Sequence, residues 1–461
     1  MTHAVPRPTT RRRFLAAAAA SAVAGPAFAR STDSRLRVGL IGCGVRGRYL
    51  IASLPPTARI AAVCDCATSR MTETLRPTGE WADLLGDWAA ADGSSVHTFQ
   101  DYRRLIDAGG LDAVIVATPD HHHVPAATHA LEAGLHVYLE KPVSVCVAEG
   151  RELVEAVRRS GRALQVGSQQ RSMAVNRTAC EFVAGGGLGA VERVELPNYP
   201  GPLRDPVWPA EPVPPGLDWD LFLGDTPRRP HNRHLWVKDR FAVDGVAWRG
   251  WDLYRTYSGH LTTNWGAHSV DMVQFALAAD GTGPVSIEPL PPGTGADAAA
   301  LQRDFDRKWH RKTPPPEGGW AAASRFHPVR LTYADGVTVE FRPGVKDATV
   351  HGARGALSIP RNNYRATPPT LLPRPSQADR AVWEGRGFVA RPHLQNWLDA
   401  IAGTADLTAP AEVGHRTATV CHLVNLAREL SRPLRWDPTA ERFKNDPAAN
   451  ALLSREPAAR G

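Results

Sequence analysis

Residues Arg37 to Gly47, RVGLIGCGVRG, constrain this chain more than any other stretch. Val38, Leu40 and Ile41 form a short apolar run of the kind that makes a buried parallel strand. Gly42, Gly44 and Gly47 follow at the spacing G-x-G-x-x-G, which suits a strand, a tight turn and the start of a helix. Gly42 allows the turn, Gly44 lets a pyrophosphate approach the backbone, and Gly47 lets helix and strand touch. The free N–H groups at that helix terminus then face the phosphates. A second apolar run, Arg59 to Val63, leads to Asp65, eighteen positions beyond Gly47. A carboxylate there can accept hydrogen bonds from the adenosine ribose. The segment predicts a dinucleotide site built from Gly42, Cys43, Gly44, Val45, Arg46, Gly47 and Asp65. The acid favours NAD, while Arg70, close by in sequence, leaves NADP open.

The same rhythm continues. Strands are expected at Val96 to Phe99, Leu111 to Ala117, His136 to Leu139 and Ala163 to Val166, with helical patterns between them. Alternation of this kind means an α/β fold with a doubly wound parallel sheet, here over residues 35–166. Ligands bind outside the carboxyl ends of such strands. Two further stretches fall there, Thr118-Pro119-Asp120 with His121, His122 and His123, and Glu140-Lys141-Pro142. Thr118, Pro119, His121, His123, Glu140, Lys141 and, past the last strand, Gln169 therefore join the cofactor-side set. Lys141 is also a catalytic candidate: it follows a strand, precedes a proline that keeps it extended, and would enter the crevice near a nicotinamide. Burial there lowers a lysine pKa toward a useful range. The histidine run carries no metal-type spacing, and no metal is expected.

From about Gly167 the texture changes to α+β. Residues 167–435 are expected to form a second domain with an open, mostly antiparallel sheet, because Val329 to Phe341 and Thr349 to Ile359 alternate like paired strands. Residues 436–461 read as a polar tail. Asn264, His268 and Asp271 lie at i, i+4 and i+7 on an otherwise apolar helix and so share one face. His268 is the second candidate base or proton relay. Among the tryptophans, Trp208, Trp219, Trp236, Trp248, Trp251 and Trp265 crowd one section, and Trp236 or Trp251 could stack on a sugar ring.

The net charge of +7 argues for no nucleic-acid or membrane partner. Residues 1–29 hold four arginines and no acid, so their removal leaves +3. Thr10-Arg11-Arg12-Arg13-Phe14-Leu15, an alanine-rich run to Ala24 and Ala27-Phe28-Ala29 together match a twin-arginine export signal with a cleavage site. The expectation is a protein exported folded by the twin-arginine machinery, periplasmic or otherwise extracytoplasmic, with no membrane anchor after processing. Six cysteines without metal-type spacing read as small buried apolar residues.

Gly42 to Gly47, Thr118-Pro119-Asp120-His121, Glu140-Lys141-Pro142 and the Asn264 to His268 segment together resemble the Gfo/Idh/MocA family of glucose-fructose oxidoreductases and inositol dehydrogenases. The resemblance implies an N-terminal Rossmann domain, a C-terminal α/β domain whose open sheet often mediates homo-oligomers, bound NAD or NADP, and redox chemistry on a sugar or polyol hydroxyl. It places the family's catalytic lysine on Lys141 and its catalytic histidine on His268. One position departs: the family's D-x-x-x-H pattern has an aspartate where this chain has Asn264. Asparagine takes no proton but can still orient the imidazole. Two other functions stand beside the oxidoreductase: an NAD-dependent glycosidase that oxidises a ring carbon, eliminates the leaving group, adds water and reduces back, and a sugar-binding protein without turnover. Export implies that the cofactor is bound before transport and held tightly.

Overall fold

The computed structural model describes residues 33–203, 209–233, 235–236, 250–291, 323–381 and 390–455. The expected export segment, Trp208 and Trp248 lie outside them.

Six parallel strands, β1 (Leu36–Ile41), β2 (Ala58–Cys64), β3 (His97–Phe99), β4 (Ala113–Val116), β5 (His136–Leu139) and β6 (Leu164–Val166), form one sheet in the order β3-β2-β1-β4-β5-β6. This is the doubly wound dinucleotide-binding order, and the reversal between β1 and β4 opens a crevice at their carboxyl ends. β4 is buried along its whole length, as a central strand covered by helices on both faces must be. The helices stop where their sequence says: Asp101 caps one by accepting from Arg103 N, and Gly161 ends another at φ 64°.

A second, nine-stranded sheet is built from β7 (Val191–Pro197), β8 (Ser286–Pro289), β9 (Val329–Thr332), β10 (Thr338–Arg342), β11 (Ala348–Gly352), β12 (Gly355–Ile359), β13 (Arg365–Thr367), β14 (Leu434–Asp437) and β15 (Arg442–Phe443). Its order is β13-β12-β11-β7-β10-β9-β8-β14-β15, with one parallel pair, β7 and β10. The expected antiparallel pairing of the 329–341 and 349–359 stretches is present. One face packs on the helices Ala174–Ala184, His260–Ala276 and Ala411–Leu430 through Val194, Val339, Val350, Val270, Met272 and Leu423. The other face carries charged rows such as Arg193, Glu195 and Arg342.

Two expectations about the second half are corrected. The stretch after Trp436 is not a tail: β14 pairs with β8, β15 pairs with β14, and Trp436, Phe443 and Ala449 are buried in the same core. Its polar residues face outward from a short hairpin, which is why polarity alone misled. Nor is 167–435 continuous in space. The helix Arg391–Ile401 returns to the first domain, where Leu394, Trp397 and Leu398 pack with Val38, Leu40 and Ile60. Each fully buried leucine of this kind contributes about 1.5–3 kcal/mol. Gln165 of β6 fixes the returning segment by donating to Asn396 Oδ1 at 2.7 Å and accepting from Ala409 N at 3.1 Å.

Candidate active site

The glycine loop meets the steric demands read from its sequence. Gly42 has φ 98°, and a Cβ on it would lie 2.5 Å from Ala117 O; a Cβ on Gly47 would lie 2.0 Å from Gly42 O. No side chain fits at either position. Gly44 caps the helix Val45–Ser53, whose first N–H groups open on the crevice. Asp65 braces this loop: Oδ2 accepts from Cys43 N at 2.9 Å, and Oδ1 accepts from Ala67 N at 3.0 Å. On the β4 side, Thr118 Oγ1 is buried without a hydrogen-bond partner among the described residues. A glycine cradle that a Cβ would fill and an orphaned hydroxyl beside it fit a dinucleotide, which Gly42 to Gly47 and Asp65 would hold.

Arg46, Glu140 and Gln169 meet at the ends of β1, β5 and β6. Glu140 Oε1 accepts from Arg46 Nε at 2.7 Å and from Gln169 Nε2 at 3.0 Å. The carboxylate fits because Gly167 faces it, where a Cβ would lie 2.7 Å from the acid. Lys141 comes next, joined to Pro142 by a cis peptide bond. Its Nζ donates to both acceptors of one residue, Asn264 Oδ1 at 3.0 Å and Asn264 O at 3.2 Å. The Lys141 pKa is lowered to about 8: burial is the largest cause, Arg46 and Arg361 add to it, and Glu140 and Asp120 oppose it.

Asn264 therefore clamps Lys141 through its side-chain and backbone oxygens. His268 lies one turn along the same helix, half-buried, with Trp265 edge-on at 6.5 Å. Burial first, then Arg361, Lys141 and Arg46, hold its pKa well below the usual histidine value. Asp271 shares the helix but not the site. Its Oδ1 accepts from Arg171 Nε at 2.8 Å and from Thr417 Oγ1 at 3.1 Å, and Arg171 also binds Asp280.

The histidine run is framework. His121 and His122 both direct Nε2 to Phe222 O at 2.8 Å, and His123 faces Pro142 O at 2.6 Å and Thr118 O at 3.0 Å. Backbone carbonyls thus take one ring nitrogen each of His121 and His122 and both of His123, while His121 Nδ1 is buried without a hydrogen-bond partner among the described residues. No cluster of metal-ligating side chains occurs among the described residues. The Trp236 ring lies 4.6 Å below the Arg70 guanidinium. Trp251 packs against the apolar cluster that contains Ala67, Leu203 and Leu217.

Two residues were given no role by sequence reasoning. Asp120, inside the Thr118 to His121 motif, is buried, accepts from Ser258 Oγ at 2.7 Å and has its pKa raised to about 6 by burial. Its place at a strand end was the available signal. Arg361 follows β12, and neither motif nor periodicity marks it.

Comparison with known proteins agrees with this geometry. Residues 36–168 match the family model described as "Oxidoreductase family, NAD-binding Rossmann fold", and residues 206–313 match its C-terminal alpha/beta domain. The chain belongs to the Gfo/Idh/MocA oxidoreductase family. It carries the family's NAD-binding Rossmann domain. Inositol 2-dehydrogenase 2 of Saccharopolyspora erythraea is 36% identical over 140 residues, which cover 30% of this chain and 37% of that protein. A glycosyl hydrolase family 109 protein of Stenotrophomonas maltophilia is 31% identical over 137 residues, 28% of this chain and 29% of that one. Each match spans less than half of the relative's length. The fold extends further: the aldose-aldose oxidoreductase of Caulobacter crescentus, solved with glycerol, superposes with a TM-score of 0.55 at 18% identity, covering 87% of this chain and 99% of that one.

Proposed function

We propose that this protein is an NAD-dependent oxidoreductase acting on a hydroxyl of a sugar, polyol or glycoside, with Lys141 and His268 handling the proton. The observation that carries the reading is the Lys141–Asn264 clamp at the carboxyl end of β5. Bound NAD supplies the hydride acceptor. Neutral Lys141 has two N–H bonds and one lone pair. Both N–H bonds are spent on Asn264, so the lone pair is left for a substrate hydroxyl proton. His268, kept neutral among cations, serves as acceptor and relay and not as a fixed positive charge.

Because the neutral amine is the competent form, oxidative turnover rises as pH passes through about 8, the value to which the Lys141 pKa is lowered. Asp120 favours the ammonium form, so Asp120→Asn removes that support. The expected result is a rising limb displaced to lower pH, read from kcat/KM against pH; an unmoved limb would detach Asp120 from Lys141.

The second reading, oxidation-assisted glycoside cleavage, uses the same two residues and is favoured by the family 109 relative. An aryl glycoside assay with NAD separates the two, since only cleavage releases the aglycone.

A segment of the second domain crosses the adenosine end of the crevice. Leu217 bridges to Ala67, Asp218 N donates to Cys66 O at 2.9 Å, Thr68 N donates to Gly216 O at 3.0 Å, and Trp236 lies under Arg70. This strap supports a retained dinucleotide. Retention suits a protein carried out folded by the twin-arginine machinery to a compartment without soluble NAD, and it requires redox-neutral cycling; a homo-oligomer formed through the open sheet completes the reading. Mature protein purified without added cofactor and then denatured should release close to one nicotinamide dinucleotide per chain. A folded, cofactor-free preparation that binds NAD only weakly would overturn the closed cycle.

A further inference from the structure

The helix that carries Asn264 and His268 is gripped from the first domain at more than one point. Lys141, just past β5, donates to Asn264 Oδ1 and Asn264 O. Asp120, just past β4, accepts at Oδ2 from Ser258 Oγ at 2.7 Å. Ser258 Oγ in turn accepts from the N–H of His260 at 3.1 Å, and His260 is the first residue of the helix His260–Ala276. Arg171, in the turn after β6, donates to Asp271 Oδ1 at 2.8 Å. Ser258, Asn264 and Asp271 thus meet the segments leaving β4, β5 and β6 in the order in which those strands lie in the sheet.

Neighbouring strands lie about 4.8 Å apart, and one helical turn rises about 5.4 Å. From His260 to Asn264 is about one turn, so the start of the helix spans the ends of β4 and β5 and each end holds one turn. His268, a turn further on, lies between the ties made by Lys141 and Arg171. The tie at β4 is sheltered: Asp120 is 7% and Ser258 2% exposed, so water competes little for their hydrogen bond, and the carboxylate acceptor strengthens it. Asp120 also sets a negative charge at the helix N-terminus, where the dipole is positive. His260 enters the helix at φ 55°, a backbone state that a histidine keeps only where its surroundings fix it. From the second domain, Asn425 holds the same turn by donating from Nδ2 to Gly259 O at 3.0 Å.

We propose that Asp120 and Ser258 are positioning residues: their hydrogen bond is an interdomain latch that fixes where the helix crosses the strand ends and so keeps Asn264 on Lys141. The proposal rests on the reading of Lys141 as the group that handles the proton, and adds to it the contact that holds Lys141 and its partner in register. With the latch cut, the first turn of the helix loses its tie to β4, and Asn264 leaves Lys141 for part of the time. Asp120→Asn keeps an acceptor for Ser258 and therefore keeps the latch, whereas Ser258→Ala removes the donor.

The test has a readout that needs no substrate. The protein, saturated with NAD, is treated with acetic anhydride, and the rate of Lys141 acetylation is read by peptide mass spectrometry. Ser258→Ala should speed that acetylation by about tenfold to hundredfold, the range expected for loss of a hydrogen bond to a charged group. Ser258→Thr and Asp120→Asn, which keep donor and acceptor, should stay near the parent. Asp120→Ala cuts the same bond from the first domain and is the second variant should Ser258→Ala not fold. Ile60→Val, a substitution in the buried core of β2, is the control for general loosening. Oxidation of myo-inositol and of glucose is followed in parallel: Ser258→Ala should lower kcat with cofactor affinity unchanged, and its loss should not add to that of Asn264→Ala, because both act on one contact. Parental acetylation rates in Ser258→Ala, equal acceleration in Ile60→Val, or additive losses overturn the latch, and full turnover beside any of these leaves the oxidoreductase reading standing. Acetylation that responds as expected while neither polyol is oxidised upholds the latch and counts against the oxidoreductase reading alone.

Discussion

Lys141→Met is expected to lose turnover by a hundredfold or more while dinucleotide affinity stays within a few-fold of the parent. Removing a positioned base costs on the order of 10²- to 10⁴-fold. Lys141 is bonded to Asn264, whereas the glycine loop and Asp65 hold one another independently of it. Methionine keeps the length and apolar stem of lysine and removes the charge, so the fold should tolerate it. Asn264→Ala should lower kcat less, because it frees the amine without deleting it. His268→Ala should also depress kcat with the cofactor still bound. Single-turnover cofactor reduction beside a cofactor titration measures both halves. Normal turnover in Lys141→Met would leave the clamp as a structural contact and assign the proton to another group.

The first domain was legible because its determinants are local. A glycine at φ 98°, a strand of four buried residues and an acid at a strand end each leave a mark within a few residues. The position of Lys141 at the end of β5 was legible for the same reason, since strand and following proline are adjacent in sequence. What escaped depends on partners far along the chain. Lys141 and Asn264 are 123 positions apart, and helical spacing could align Asn264 with His268 but could not show that a lysine from the other domain takes its side chain.

Asp271 shows the limit of the same spacing argument. Seven residues on, it keeps the face but lies about 10 Å further along the axis, at 1.5 Å per residue. There Arg171, from the segment after β6, reaches it first. His121 to His123 carry the residue types of a reactive site, and carbonyls of Phe222, Pro142 and Thr118 take Nε2 of His121 and His122 and both ring nitrogens of His123. Residue type announces polar contacts, and only long-range packing shows which nitrogens are already taken. Arg361 is the converse: an arginine in a turn looks solvated until Asn176, 186 positions from Asn362, is seen to hold that turn.

The glycine loop makes the other large prediction. In Gly47→Ala the new methyl would sit 2.0 Å from Gly42 O, a separation that no rotamer can relieve because both partners are fixed. Gly42 N is bonded to Cys64 O at 2.8 Å and Cys43 N to Asp65 Oδ2 at 2.9 Å, so the loop cannot retreat without breaking its own bracing. The helix Val45–Ser53 must move instead, and its N–H groups lose their aim at the phosphates. Dinucleotide affinity should fall by about a hundredfold or more, and the cofactor should be absent after purification. Loss of a ligand held at a hundred times its Kd also removes about 2.7 kcal/mol of stability, so Tm should drop even where the altered loop folds. Gly86→Ala is the control. Gly86 lies inside the helix Glu80–Ala91 with nothing within 4 Å of a new Cβ, and alanine there should raise stability by roughly 0.5–1 kcal/mol through lower backbone entropy. Nicotinamide dinucleotide released on denaturation and Tm by calorimetry are compared for both variants. A Gly47→Ala protein that retains its cofactor would mean that Gly47 does not set the approach of helix to strand, and the dinucleotide cradle would have to be placed elsewhere.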